Sequence, residues 1–440
     1  MSSGLPTLSE NRFLRFFTVT ALYMAQGIVM GVIIISLPAV LAAEGLTATQ
    51  VGSFVGLVML PWSFKILFAP LMDRFTVIAM GRRRPWILVG IIVSAIGYFG
   101  MASIQNPTEN LPLLIAMGMV AVGCSALMDV SVDGMVVDIL PTKEQALANG
   151  LMWGGKVLGT AITAWASGWM YKNVGISETL YAAGLLTLAF ALFPLLIRER
   201  SGERLLPWTT GQASEETLKL HEGSWLFIGK GLLKVFLLPT TLWMALLGAT
   251  GGSLQGFLDA MLPVLTVQEL QWQADDYSNI GALSQLISGL IGMVLGGWLA
   301  NLLGYKRAVT LFLSMLLLAN AAAALAAPIW ETRSTIVSIA IIHTALRTLS
   351  IITFFSIAMA LCWKKIAASQ FAMYMIFANF GFSSGSILFG QLSQVISFSQ
   401  MFYVMGGICF VGIFATSRIH IDKHSERLTT LDQESSSQIS

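Results

Sequence analysis

Residues 64–90 read FKILFAPLMDRFTVIAMGRRRPWILVG, and the placement of this stretch decides the fold. A lysine lies within an apolar run, an Asp–Arg pair follows the run, and three consecutive arginines precede the next apolar run. Around it the chain is 55% hydrophobic and 11% charged, far below the ~25% charged residues of a water-soluble domain. Apolar segments of about 20 residues, the length that crosses a ~30 Å hydrocarbon layer, recur from end to end. Their continuous apolar runs, without two-residue alternation, predict helices and not barrel strands. Twelve spans are expected, at 14–41, 51–71, 86–104, 112–139, 144–170, 178–197, 238–264, 277–302, 307–328, 335–361, 368–395 and 399–418.

The arginines behind the lysine set the topology. Twenty Lys and Arg residues fall in one set of loops, while the opposite set holds Lys172 and Arg333. By the positive-inside rule both termini and Arg82 to Arg84 are cytoplasmic. The N-terminal MSSGLPTLSENRF lacks the apolar core and small-residue cleavage site of a signal peptide, so the first span is expected to be retained. The longest hydrophilic stretch divides the spans six and six. The expected organisation is a six-helix bundle at 1–197, a cytoplasmic linker at 198–237, a second six-helix bundle at 238–418 and a disordered tail at 419–440. Within the linker, EETLKLHEGSWLFIGKGLLKVFLLP mixes Lys with Trp, Leu and Phe and suggests a helix lying along the interface.

Charges inside a bilayer cost about 2.5–3.5 kcal/mol each, so the six present are functional candidates: Lys65, Asp129, Asp133, Lys156, Asp259 and Arg347. Asp129 and Asp133 are four residues apart and share one helix face. Two carboxylates so placed repel, which suits a proton-coupling site. Lys65 is expected at the depth of Asp133 and is read either as its static partner or as a substrate contact. Arg347 and Lys156 have no acidic residue within a helical turn, which suggests an anionic substrate group. Gln26 and Gln255 are candidate hydrogen-bonding contacts to the solute; His343, one turn from Arg347, is read as a relay or as a packing residue. The glycines of YMAQGIVMGVIIISLP, MWGGKVLG and ATGGSLQGF read first as sites of close helix approach. Cys124, Cys362 and Cys409 read as packing residues, and no Cys or His pair has ligand spacing, so no metal or cofactor is expected. There is no phosphate-binding G-x-x-x-x-G-K-[ST] loop, no Ser–His–Asp candidate and no His-rich cluster, which argues against an ATP-driven pump or an enzyme.

An internal echo of the opening stretch, GGWLANLLGYKRA at 296–308, follows the eighth span. Together with the six-plus-six layout it resembles the major facilitator superfamily, whose loop signature is G-x-L-x-D-x-x-G-x-[KR]-[KR]. Gly297, Leu299, Gly304, Lys306 and Arg307 are in register, with Asn301 where Asp is usual. In the first copy Asp73, Arg74, Gly81, Arg82 and Arg83 form a candidate gating latch. FKILFAPLMDR, GRRRPWIL, MDVSVDGMVVDILP and LCWKKIAASQFAM further resemble the muropeptide permease (AmpG-like) and acetyl-coenzyme A transporter family, with its related siderophore importers. That resemblance implies an all-α membrane protein of twelve transmembrane helices in two six-helix bundles. It also implies proton-coupled import of a bulky, anionic organic solute across a bacterial inner membrane, first of all a muropeptide-like one. The alternatives are a siderophore importer and a passive uniporter. The expected partners are the solute, protons and membrane lipids, with no nucleic acid, and the expected state is a monomer. Val136 stands where muropeptide permeases have Lys, Val157 where they have Arg, and GATGGSL where they have a Lys-Leu-Gly-Asp run, which brings the siderophore reading close to the muropeptide one.

Overall fold

The computed structural model describes residues 7–68, 71–72, 75, 77–213, 232–363 and 367–437. Each of the twelve expected spans is helical: α1 (Arg12–Ala43), α2 (Ala48–Met59, tightening to a 3-10 helix over Leu60–Leu67), α3 (Arg84–Ala102), α4 (Leu111–Ile139), α5 (Thr142–Asn173), α6 (Ile176–Leu196), α7 (Pro239–Val264), α8 (Ala274–Gly296), α9 (Tyr305–Leu325), α10 (Arg333–Ala360), α11 (Ala367–Leu392) and α12 (Phe398–Arg418). Among the described residues nine of them are long and apolar enough to cross a bilayer on length and composition. The other three, α2, α5 and α7, carry Lys65, Lys156 and the glycine-rich run around Gln255, polarity that belongs to an interior and not to a lipid face. Helix starts follow side-chain chemistry. Asn11 caps α1 through Leu14 N, and Thr47–Gln50 and Ser397–Gln400 form capping boxes at α2 and α12.

The chain divides into two compact units, Met1–Gly223 with Asp259–Gly289, and Ser224–Leu258 with Leu290–Ser440. In the first unit α1 crosses α5 through two glycine pairs. A Cβ on Gly27 or Gly31 would lie 2.4 or 2.2 Å from Thr160 or Thr163 of α5, and one on Gly155 or Gly159 would lie 2.6 or 2.3 Å from the Thr20 or Met24 carbonyl of α1. In the second unit the same arrangement recurs between α7 and α11, where Gly252 and Gly256 face Ala378 and Phe382 carbonyls while Gly381 and Gly385 face Ala249 and Ser253. Without a hydrophobic driving force between helices in lipid, bare backbone contact of this kind supplies the packing. Hydroxyls complete each crossing: Thr163 Oγ1 donates to the Gly27 carbonyl at 3.1 Å, and Ser386 Oγ to the Gly256 carbonyl at 2.9 Å.

The first unit also takes in the end of α7 and most of α8, which departs from a division at the linker. Gln268, in the π-helical turn Leu265–Glu269 after α7, donates its amide to the Ala42 and Leu46 carbonyls at the end of α1, at 2.9 and 2.7 Å. Lys172 at the end of α5 pairs with Asp275 at the start of α8 at 3.0 Å, each charge suiting the helix end it occupies. A Cβ on Gly168 would meet Ser278 at 2.5 Å.

The tail expected to be disordered is helical over Ile421–Ser437 (α13). Its Leu428 and Leu431 pack on Val235 and Trp363, and His424 Nε2 donates to the Leu361 carbonyl at 2.9 Å. This cross-chain burial offsets a polar composition that reads as unstructured. Most of the interfacial stretch expected in the linker lies outside the described residues.

The seams are tested by one pair of substitutions. Gly256→Ala places a methyl 1.9 Å from the Phe382 carbonyl, whereas Gly407→Ala meets nothing within 4 Å. Thermal unfolding in detergent should show Gly256→Ala destabilised by about 2 kcal/mol or more. Gly407→Ala should be neutral or stabilised by up to ~1 kcal/mol from helix propensity.

Candidate functional site

In the first unit, side chains from four helices converge on the C-terminal half of α4. Lys65 Nζ lies 3.3 Å from Asp129 Oδ2, with only 12% and 7% of the two side chains exposed. Lys65 therefore pairs with Asp129, one turn from the carboxylate expected from depth alone. Asp133 instead accepts a hydrogen bond at Oδ1 from the Tyr23 hydroxyl of α1. Tyr23 is buried, while Asp133 has a solvent-accessible portion. Lys156 of α5 lies over two indoles, 5.1 Å from the Trp62 ring centroid and 5.3 Å from that of Trp153, and faces the charges of Asp129, Lys65 and Asp133.

The cluster thus combines two lysines, two carboxylates, one tyrosine and two tryptophans. Sequence reading found Lys65, Asp129, Asp133 and Lys156 but missed Tyr23, Trp62 and Trp153. A W-x-x-K spacing over Trp153–Lys156, which puts ring and ammonium on one helix face, was the available signal. Gln26 lies elsewhere: it is fully buried in α1, and neither its amide oxygen nor its nitrogen has a hydrogen-bond partner among the described residues.

In the second unit, Gln255 on α7 and Arg347 on α10 are half-buried. His343, one turn before Arg347, is enclosed: Nδ1 contacts the Ile339 carbonyl at 2.8 Å and Nε2 the Asn320 Oδ1 at 3.3 Å, with Phe402 5.9 Å away ring to ring. These contacts are those of a packing histidine. Beside it a cavity of about 340 Å³ between α9 and α10 is lined largely by alanines, serines and isoleucines.

The basic loop is built around a residue that sequence reading did not single out. Glu199, fully buried just after α6, accepts backbone N–H groups from Arg82, Arg83 and Arg84 at 3.1, 2.9 and 2.5 Å. The chain turns into this cradle at Gly81, whose φ of +99° and 2.6 Å approach to the Glu199 carboxyl leave no room for a side chain. Burial pushes the Glu199 carboxyl above the usual range, and the three amides pull it back. The side chains of Arg82 and Arg83 meet Asp138 at the end of α4, at 3.4 and 3.0 Å, and Arg83 lies flat against Gly134, where a Cβ would come within 2.7 Å. Glu144 likewise holds Arg12 and Arg15 at 3.2 and 2.9 Å. Asp73 and Arg74, expected in the latch, lie outside the described residues. In the second copy of the loop Gly304 has a φ of +79°, and Lys306 donates to the Ser417 and Ile419 carbonyls at the end of α12, at 3.1 and 2.6 Å. It caps a helix end where the first copy uses a carboxylate.

Residues 19–382 match the family described as Major Facilitator Superfamily. The chain belongs to the major facilitator superfamily. It is a multi-pass membrane protein and a secondary transporter, not an enzyme. It is 24% identical over 371 residues to the anhydromuropeptide permease of Escherichia coli (strain K12), covering 83% of this chain and 72% of that protein. The folate-biopterin transporter of Synechocystis sp. (strain ATCC 27184 / PCC 6803 / Kazusa) is 26% identical over 280 residues, covering 62% of this chain and 52% of that one. Among solved structures, the nucleoside transporter NupG superposes with a TM-score of 0.70 at 14% identity over 92% of this chain and 98% of that chain. The D-xylose-proton symporter gives 0.71 at 12% over 92% and 97%. These likenesses establish the all-helical major facilitator fold.

The Glu199 cradle is tested by truncation. Glu199→Ala strands three backbone donors, so unfolding in detergent should show a loss of about 2–3 kcal/mol. Glu199→Gln keeps an acceptor oxygen for them and should lose less.

Proposed function

We propose that the chain imports a bulky, anionic organic solute across the bacterial inner membrane together with protons, a muropeptide-like solute being the first candidate. The observation that carries this reading is the first-unit cluster. It holds a carboxylate, Asp133, with a single hydrogen-bond partner among the described residues, beside an ammonium, Lys156, that has aromatic faces against it but no carboxylate at ion-pair distance among them. In a low-dielectric setting each such charge seeks a counter-charge. A proton on Asp133 and an anion at Lys156 neutralise the two separately, so binding both is cheaper than binding either alone. That coupling is what symport requires.

In this reading Asp129 is held by Lys65 and fixes the electrostatic frame, while Asp133 takes the proton. Lys156 grips the solute. The basic loop serves as a cytoplasmic latch, keeping the end of α4 and the start of α3 fixed to Glu199 and Asp138. Distant similarity to the anhydromuropeptide permease supports the first candidate. The apolar residues at positions 136 and 157 keep a siderophore in contention.

Uptake into proteoliposomes tests the reading, with a panel of an anhydromuropeptide, several siderophores and folate, each with and without an inward proton gradient. One solute should accumulate only with the gradient. Asp133→Asn should abolish accumulation while leaving solute exchange in place, and Lys156→Met should weaken both by about tenfold or more. Uptake indifferent to the gradient and to Asp133→Asn would make the protein a uniporter.

A further inference from the structure

Lys156 and its two tryptophans specify more about the solute than its charge. The α5 residues Leu151, Leu158, Ile162, Trp165 and Trp169 are all exposed and recur at spacings of seven, four, three and four, a single stripe along the helix. A continuous apolar stripe of this kind suits lipid. Trp153 is 46% exposed yet stands two residues from Leu151, roughly 200° around the helix, so its indole opens on the opposite side. Asn149, one turn before Trp153, is exposed on that same side, where its amide suits water and not lipid. On α4 Asp133 is exposed, and Val137, one turn on, is exposed beside it at 68%. The first unit therefore has an open face that is distinct from that apolar stripe, and Trp153, Lys156 and Asp133 line it.

On this face the charges are unequally satisfied. Asp129 is held by Lys65, and Asp133 is held at one oxygen by Tyr23. The three N–H donors of Lys156 meet π faces, which attract the charge but offer no lone pair. Beside the ammonium, Trp153 presents an exposed indole and Trp62 a buried one. An ammonium between broad aromatic walls suits an anion whose charge sits directly on a flat ring: the charge reaches Nζ while the ring stacks on indole.

We infer that Trp62, Trp153 and Lys156 form one subsite for an anionic group carried on a planar ring, an aryl or heteroaryl carboxylate or phosphate. This rests on the proposed function's assignment of Lys156 to the solute, and it favours a ring-bearing anion such as an aromatic siderophore over the muropeptide-like candidate.

The test is saturation-transfer NMR on the full-length protein in lipid nanodiscs, with empty nanodiscs subtracted. The probes are naphthoate and naphthyl phosphate, with cyclohexanecarboxylate as the anion lacking a flat ring and naphthamide as the ring lacking charge. Naphthoate or naphthyl phosphate should bind the wild type, and whichever binds identifies the charged group. Binding should weaken by about tenfold in Lys156→Met and in Trp153→Leu, each checked for monodispersity, and both controls should bind about tenfold more weakly than the aryl anion. Equal binding of naphthamide or of cyclohexanecarboxylate overturns the subsite, as does unchanged naphthoate binding in both variants. Aryl-anion binding as expected, in a protein that shows no gradient-driven uptake, would sink the proton-coupled reading and leave the subsite standing. Gradient-driven uptake that naphthoate does not compete with, and that survives Lys156→Met, would do the reverse.

Discussion

Lys65 and Asp129, 64 residues apart in sequence, meet at 3.3 Å inside a helix bundle, and the low dielectric around them makes that contact a requirement. A charge there is tolerated only when another charge, a strong hydrogen bond or water answers it. The pair ties α2 to the middle of α4 and leaves Asp133 and Lys156 to find other partners. Tyr23 of α1 answers part of Asp133, and the indoles of α2 and α5 answer part of Lys156. Four helices are thereby bound by one electrostatic problem, and what the protein leaves unanswered is what a proton and an anion are suited to supply.

Backbone proximity makes this cluster geometrically possible. The glycine pairs of α1 and α5 bring two helix axes together until side chains are excluded from the seam. Tyr23 and Lys156 are then carried to the same neighbourhood from helices far apart in sequence. The α7 and α11 seam repeats the arrangement with its own glycines and its own bridging hydroxyl. The repeat extends to the loops, with a difference. The first copy wraps three backbone amides around the buried Glu199, whereas the second uses Lys306 to cap α12.

The parts legible in the sequence were those with local causes. Continuous apolar runs mark all twelve helices, and the spacing of Asp129 and Asp133 places them on one face without any tertiary information. The glycine runs announce close approach, though not between which helices. What stayed hidden depends on contacts across the chain. Depth along a helix is judged to about a turn, so Lys65 was matched to Asp133 when its partner is Asp129. Tyr23 and Trp62 resemble any aromatic in a membrane helix until their neighbours are known, and Glu199 looks like one more charge in a polar linker. The tail reads as unstructured because its docking contacts, through Leu428, Leu431 and His424 of α13, reach residues far away in the sequence.

On the proposed reading, the face bearing Trp153 and Asp133 meets water and solute while the Leu158 stripe meets lipid. The most direct measurement is labelling by a membrane-impermeant charged maleimide, applied to inside-out vesicles, of single cysteines in a background lacking Cys124, Cys362 and Cys409. The account predicts rapid labelling of Asn149→Cys, Trp153→Cys and Val137→Cys and none of Leu158→Cys or Ile162→Cys. Labelling of the Leu158 stripe with protection of positions 137, 149 and 153 would contradict it.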